Sequence, residues 1–121
     1  MMSVMNSTKE KIYREYMDFF EKAERERRWN PFVDVKWDAG NRGASEELAL
    51  CAETFACVEM YLPDYVSHGV NIVRDSFGQA WFQANWGYEE SKHSLVLLKY
   101  LEESGKRTAE QMAVLRERVL A

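Results

Sequence analysis

Glu90 and His93, in the stretch Trp86-Gly-Tyr-Glu-Glu-Ser-Lys-His93, are the residues of this chain best placed by type and spacing to do chemistry. Three positions apart on a helix, a carboxylate and an imidazole project from one face, a turn apart, and can hold one metal ion. Phe82, Trp86, Glu90, His93, Leu97 and Leu101 advance in steps of three or four, so they trace a single helical stripe. Two ionisable groups thus interrupt an apolar seam. Burying a bare carboxylate there costs several kcal/mol unless it is paired or metal-bound. A second stripe repeats the anomaly: Ala52, Phe55, Ala56, Glu59, Leu62 and Val66 are apolar except for Glu59.

One inward Glu on one helix and a Glu-x-x-His on the next make half of the ligand set of a ferritin-like di-iron carboxylate bundle, in which four carboxylates and two histidines hold the metals. Glu59, Glu90 and His93 are therefore the candidate metal ligands, for a two-iron centre shared with a partner half. Without metal, the same three side chains would be a hydrogen-bonded cluster, and a lone histidine on an apolar face is more often that than a ligand. Glu89 lies about 100° from Glu90 and reads as exposed or as a support to the ligands.

The elements that must position these residues are helical. A first helix is expected over 8–27, capped by Ser7, with Ile12, Tyr16, Phe19, Phe20 and Ala23 on its apolar face. The connection 28–43 is broken by Pro31, Gly40 and Gly43, and its Trp29, Phe32 and Trp37 are expected to pack over a bundle end. A second helix follows over 44–66, its last turn kinked by Pro63. Ser67-His68-Gly69 reads as a turn, with His68 facing the helix dipole. The third helix, over 71–103 and roughly 50 Å long, then runs antiparallel to the second. Gly105 suits a helix stop. Thr108 opens a short helix within 107–120 that carries Met112, Leu115 and Val119. Trp81, Phe82 and Trp86 read as core, and Glu24-Arg-Glu-Arg-Arg28 as a solvated helix end with, as its functional alternative, a docking patch for an acidic carrier. The fold class is all-α: an antiparallel helical bundle, a single domain over 1–121, equivalent to half of a ferritin-like di-iron four-helix bundle.

Composition agrees. The chain has 121 residues, 46% of them hydrophobic, with six Gly and two Pro, which favours helix and allows a modest core. A net charge of −4 argues against nucleic acid as a partner. Cys51 and Cys57 fall about 240° apart on a helix, so they read as buried thiols of a reducing cytosol, not a disulfide. There is no apolar run long enough for a bilayer and no secretory signal, so neither a membrane nor export is expected and the location is cytoplasmic.

Glu59-Met-Tyr-Leu-Pro-Asp-Tyr65, then Ala80-Trp-Phe-Gln-Ala-Asn-Trp86 running on to His93, then Leu98-Lys-Tyr-Leu101 with Ser104-Gly105, resemble the first half of a soluble acyl-carrier-protein desaturase. The similarity covers roughly residues 45 to 112. Arg27-Arg28-Trp29-Asn30-Pro31 and Val35-Lys36-Trp37-Asp38 resemble bacterial members more loosely. In that family the Glu before Leu-Pro-x-Tyr is a ligand, as are the second Glu and the His of Glu-Glu-x-x-His; here these are Glu59, Glu90 and His93. The resemblance implies an O₂-dependent, two-iron acyl desaturase, with an acyl carrier protein delivering substrate and a ferredoxin-like electron donor. Two features depart from it: Met60 stands where many members have a second Glu, and the stretch between Glu59 and Glu90 is shorter than in plant members. The family's second Glu and second Glu-x-x-His lie further along than this chain runs. The missing donors are therefore expected from an identical copy or from a separately encoded chain, unless the chain is a truncated product. Two alternatives stand beside it: a ferritin-like iron-binding or iron-oxidising homo-oligomer, and a metal-free helical interaction module.

Overall fold

The computed structural model describes residues 7–37 and 43–121, and every regular element among them is a helix. α1 spans Thr8–Glu26, α2 Glu46–Glu59, α3 Leu62–Ile72, α4 Phe77–Glu103 and α5 Ala109–Leu120. The all-α expectation holds. The polar start before Ser7, the breaker Gly40 and Asp38 of the looser resemblance lie outside the described residues.

Local chemistry sets most of the helix limits. The Ser7 hydroxyl accepts the Glu10 N–H at 3.1 Å and that of Ser45 accepts the Leu48 N–H at 3.1 Å. Thr108 and Gln111 cap α5 reciprocally, with bonds of 3.1 and 2.8 Å. Each cap satisfies a backbone donor that the first turn would leave orphaned, a gain of about 1 kcal/mol. After α4, Gly105 adopts φ 74°, the left-handed conformation that a side chain resists, and Arg107 N–H returns to the Leu101 carbonyl at 3.0 Å.

The middle of the chain corrects the expected boundaries. In place of one helix over 44–66, α2 stops at Glu59, Met60 and Tyr61 turn, and α3 continues to Ile72. Pro63 explains the break: it offers no N–H, and its ring crowds the carbonyl four residues earlier, that of Glu59. It is tolerated in the first turn of α3, where no N–H is needed. Ser67-His68-Gly69 is not a turn but part of α3, and His68 is an exposed helical residue. A mid-helix Gly costs only about 1 kcal/mol, and here a Cβ on Gly69 would sit 3.1 Å from Oε1 of Gln83. The reversal falls instead between Ile72 and Phe77, so α4 starts at Phe77 rather than at residue 71 and runs for 27 residues, about 40 Å.

The chain gathers into two compact units, one of residues up to Trp29 with Asp64–Tyr88, the other of Asn30–Pro63 with Glu89–Ala121. α4 contributes its first half to one and its second half to the other. In the first unit, α1 lies along α4 through Tyr13 against Trp81 (5.8 Å, edge-on) and Phe19 against Phe82 (6.1 Å). α3 runs antiparallel to α4, with Tyr65 on Trp86 at 5.5 Å. Arg28, expected to be simply solvated, pairs with Glu24, donates to Asn85 Oδ1 at 2.8 Å and lies over the rings of Phe20 and Tyr88. Arg25, paired with Glu21 and Glu26, remains at the surface.

The second unit has a core of Ala49, Ala52, Ala56 and Met60 from α2 and its end, Leu98 and Leu101 from α4, and Met112 from α5. Arg107 clamps the start of α2, 2.7 Å from Glu46 and 3.3 Å from Glu53. Trp37 donates its indole N–H to the Pro31 carbonyl at 2.8 Å, and Lys99 lies over the rings of Trp37 and Phe32. These aromatics therefore flank α4 at Lys99, and Phe32 is largely exposed. Both cysteines are free, but Cys51 is exposed where burial was expected, because it lies on the outer side of α2. Cys57 is half-buried, and loss of hydration, then the Glu53 charge, pushes its thiol pKa up. No helix among the described residues is long and apolar enough to cross a membrane.

Two outcomes test this packing. A Cβ on Gly78 would lie 2.7 Å from the backbone of Tyr13. Gly78→Ala should therefore lower stability by about 1–3 kcal/mol, although the same change in an open helix gains about 0.5–1 kcal/mol; thermal melting followed by circular dichroism reads the sign. The hydrogen bond from Arg107 holds the Glu46 carboxyl below its ordinary pKa of 4.5. A depressed carboxyl stabilises the fold above its ordinary pKa, and that contribution is lost as pH falls through the folded value. Arg107→Ala should accordingly melt below wild type at neutral pH, with the gap narrowing in acid.

Candidate metal centre

Glu59 is the last residue of α2, held there by the break that Pro63 imposes. Glu90 and His93 stand one turn apart on α4. One donor atom from each of the three lies within 4.8 Å of the others. Nδ1 of His93 is 3.0 Å from Oε2 of Glu90. With the proton on Nδ1 donated to that carboxylate, Nε2 keeps its lone pair. All three residues belong to the second compact unit. Beside them, Ala49, Ala52 and Ala56 of α2 share one core with Leu98 and Leu101 of α4 and Met112 of α5.

The structure brings the three candidates together but not in a buried seam. Glu59 and Glu90 are half-buried, and the His93 side chain is 49% accessible. Phe82, Trp86 and, on α2, Phe55 are exposed, contrary to the core assignment of the first two; so is Trp81. The side of α4 that is buried carries Gly87, Ser94 and Leu98, roughly a quarter-turn round the helix from the ligand stripe. Of the stripe, Leu97 and Leu101 join the core of the second unit, while Phe82, Trp86 and His93 are exposed. Glu89 is half-buried and lies 3.4 Å from Nζ of Lys92, which is itself only 6% exposed. Lys92 is a buried charge that the apolar pattern does not reveal; its one sequence signal is the carboxylate three residues earlier.

The donor set fits a divalent transition metal. At metal–ligand bonds of about 2.1 Å, cis ligands sit about 3 Å apart and trans ligands about 4.2 Å. The donor atoms of the three residues, all within 4.8 Å of one another, are spread little more widely than that. Two carboxylates cancel the charge of one divalent ion. Oxygen and imidazole donors without thiolate suit iron or manganese, and zinc. The trio supplies half of the donors of a two-metal carboxylate site.

No family model, curated protein or solved structure matches the chain.

Because the imidazole is half-exposed and its partner lies on the same helix, the pair contributes only about 0.3–0.5 kcal/mol to folding. His93→Ala should therefore change the melting temperature of the metal-free protein by no more than a few degrees. Leu101→Ala, at a site with 0% exposure, should cost about 2–5 kcal/mol. Losses of equal size in the two variants would make the imidazole structural.

Proposed function

We propose that this chain is one half of a two-iron carboxylate oxidoreductase of the acyl-carrier-protein desaturase type, completed by a second half that brings complementary donors. The observation that carries the reading is the convergence of Glu59 from α2 with Glu90 and His93 from α4 on an open face. A Glu on one helix facing a Glu-x-x-His on an antiparallel neighbour is the repeating half of such centres. The resemblance in sequence selects the same three residues.

In this reading Glu59 and Glu90 are carboxylate ligands whose charge offsets the cation, and Glu90 also orients the His93 ring through their 3.0 Å contact. Phe55, one turn before Glu59 on α2, excludes water once the face is covered and offers an apolar surface to an acyl chain. When bound, the two-iron centre supplies O₂-dependent oxidation of an unactivated C–H bond, with electrons from a ferredoxin-like donor and the acyl group presented by its carrier protein. A reducing cytosol, where Cys51 and Cys57 stay free, is the compartment that suits it.

Elemental analysis is the test. Protein from iron-replete cells, or reconstituted anaerobically, should carry iron, and Glu59→Ala and His93→Ala should each lose most of it. Wild-type protein with no iron, manganese, cobalt or zinc above background would overturn the reading. Accumulation of iron as mineral, with no acyl turnover when the second half is present, would instead assign the centre to iron oxidation.

A further inference from the structure

We infer that the outer face of α2 is a coiled-coil seam that receives a helix of another protein, one with apolar residues at the same spacing and basic residues beside them. The inference involves no metal and is independent of the reading above. α2 buries Ala49, Ala52 and Ala56, yet its opposite side is also apolar. Leu48 (51% exposed), Cys51, Phe55 (59%) and Val58 (55%) face water there. A helix that is apolar on all sides is ordinarily covered on all sides, and so contiguous a patch marks a contact surface. All four residues lie on one helix of one compact unit.

Spacing says what kind of body fits. Leu48, Cys51, Phe55 and Val58 advance by three, four and three, the a–d–a–d order of a heptad, which packs knobs into the holes of a facing helix. Charge then says which helix. In this register Glu47 takes a g position and Glu59 an e position, each about 60° from the centre of the seam and on opposite flanks. α2 has two further glutamates, Glu46 and Glu53, but Arg107 holds both, at 2.7 and 3.3 Å. It has no lysine or arginine. The seam is thus apolar along its middle and acidic at its edges. A second copy of α2 would bring the same acidic edges and no cation to meet them. Lysine or arginine at the partner's e and g positions instead gives each edge an opposite charge. Two a and two d positions make a short seam, so its flanks decide which partner is accepted.

The experiment uses the full chain in chelator and two fluorescent synthetic peptides of about 21 residues, three heptads with leucine at a and d. One peptide has lysine at e and g, the other glutamate. Fluorescence anisotropy should show the lysine peptide binding at micromolar concentration and the glutamate peptide at least tenfold more weakly. Glu47→Lys should narrow that preference. Phe55→Ser and Val58→Ser, at exposed positions that spare the fold, should each weaken the lysine peptide at least tenfold. Val114→Ser on α5, at a position 54% exposed, should leave its binding unchanged. Bound peptide should also slow the alkylation of Cys51 severalfold. Equal binding of the two peptides, or binding indifferent to Phe55→Ser and Val58→Ser, would overturn the inference, as would no binding of either. Self-association of the peptide-free chain that Phe55→Ser abolishes would seat a second copy on the seam and overturn the foreign partner.

Discussion

The candidate cluster rests on the core that α2 shares with α4 and α5. Ala49, Ala52 and Ala56 are buried to within 9% or less of full exclusion from solvent, on the side of α2 that meets Leu98 and Leu101. A glutamate side chain reaches only a few ångströms, so Glu59 meets Glu90 and His93 only while this core holds the end of α2 against the second half of α4.

A second constraint acts along the chain. Pro63 ends α2 at Glu59 by crowding that residue's own carbonyl, so the donor stands at a helix terminus, beside the turn of Met60 and Tyr61. Small residues recur wherever α4 is closely approached: Gly78 under α1, Gly87 against Val66 of α3, Ser94 on the buried side of its second half. The large aromatics of α4 are displaced to its other sides. One helix can thus serve two compact units, with glycines where α1 and α3 approach its first half and leucines in the core of its second.

This distribution explains what could be read in the sequence. The cluster of Glu59, Glu90 and His93 was legible because ionisable groups in an apolar stripe have few meanings, and the ends of α1, α4 and α5 were legible because Ser7, Gly105 and Thr108 act on their own backbone. Two things were hidden. The helix through Ser67-His68-Gly69 was obscured because Gly69 looks like a breaker, whereas its missing side chain accommodates Gln83. The covered side of α4 was misassigned over 82–93, because periodicity detects large apolar residues whereas the residues buried there are Gly87 and Lys92; further along, the expected stripe is buried at Leu101.

The half-exposure of the donors follows from the same physics. Two ionised carboxylates buried together with no cation would each carry an uncompensated desolvation penalty of several kcal/mol, an appreciable part of the 5–15 kcal/mol that holds a small domain together. Left at the surface, Glu59, Glu90 and His93 stay hydrated, and the metal-free chain folds on its alanine–leucine–methionine core alone. The cost moves elsewhere, to Phe55 and Trp86, which face water beside them. That cost is recovered only when the face is covered, which is also when the carboxylates lose their water and most need a cation. In the proposed reading, covering this face and loading a cation would be one coupled event, because carboxylates stripped of water need a compensating charge.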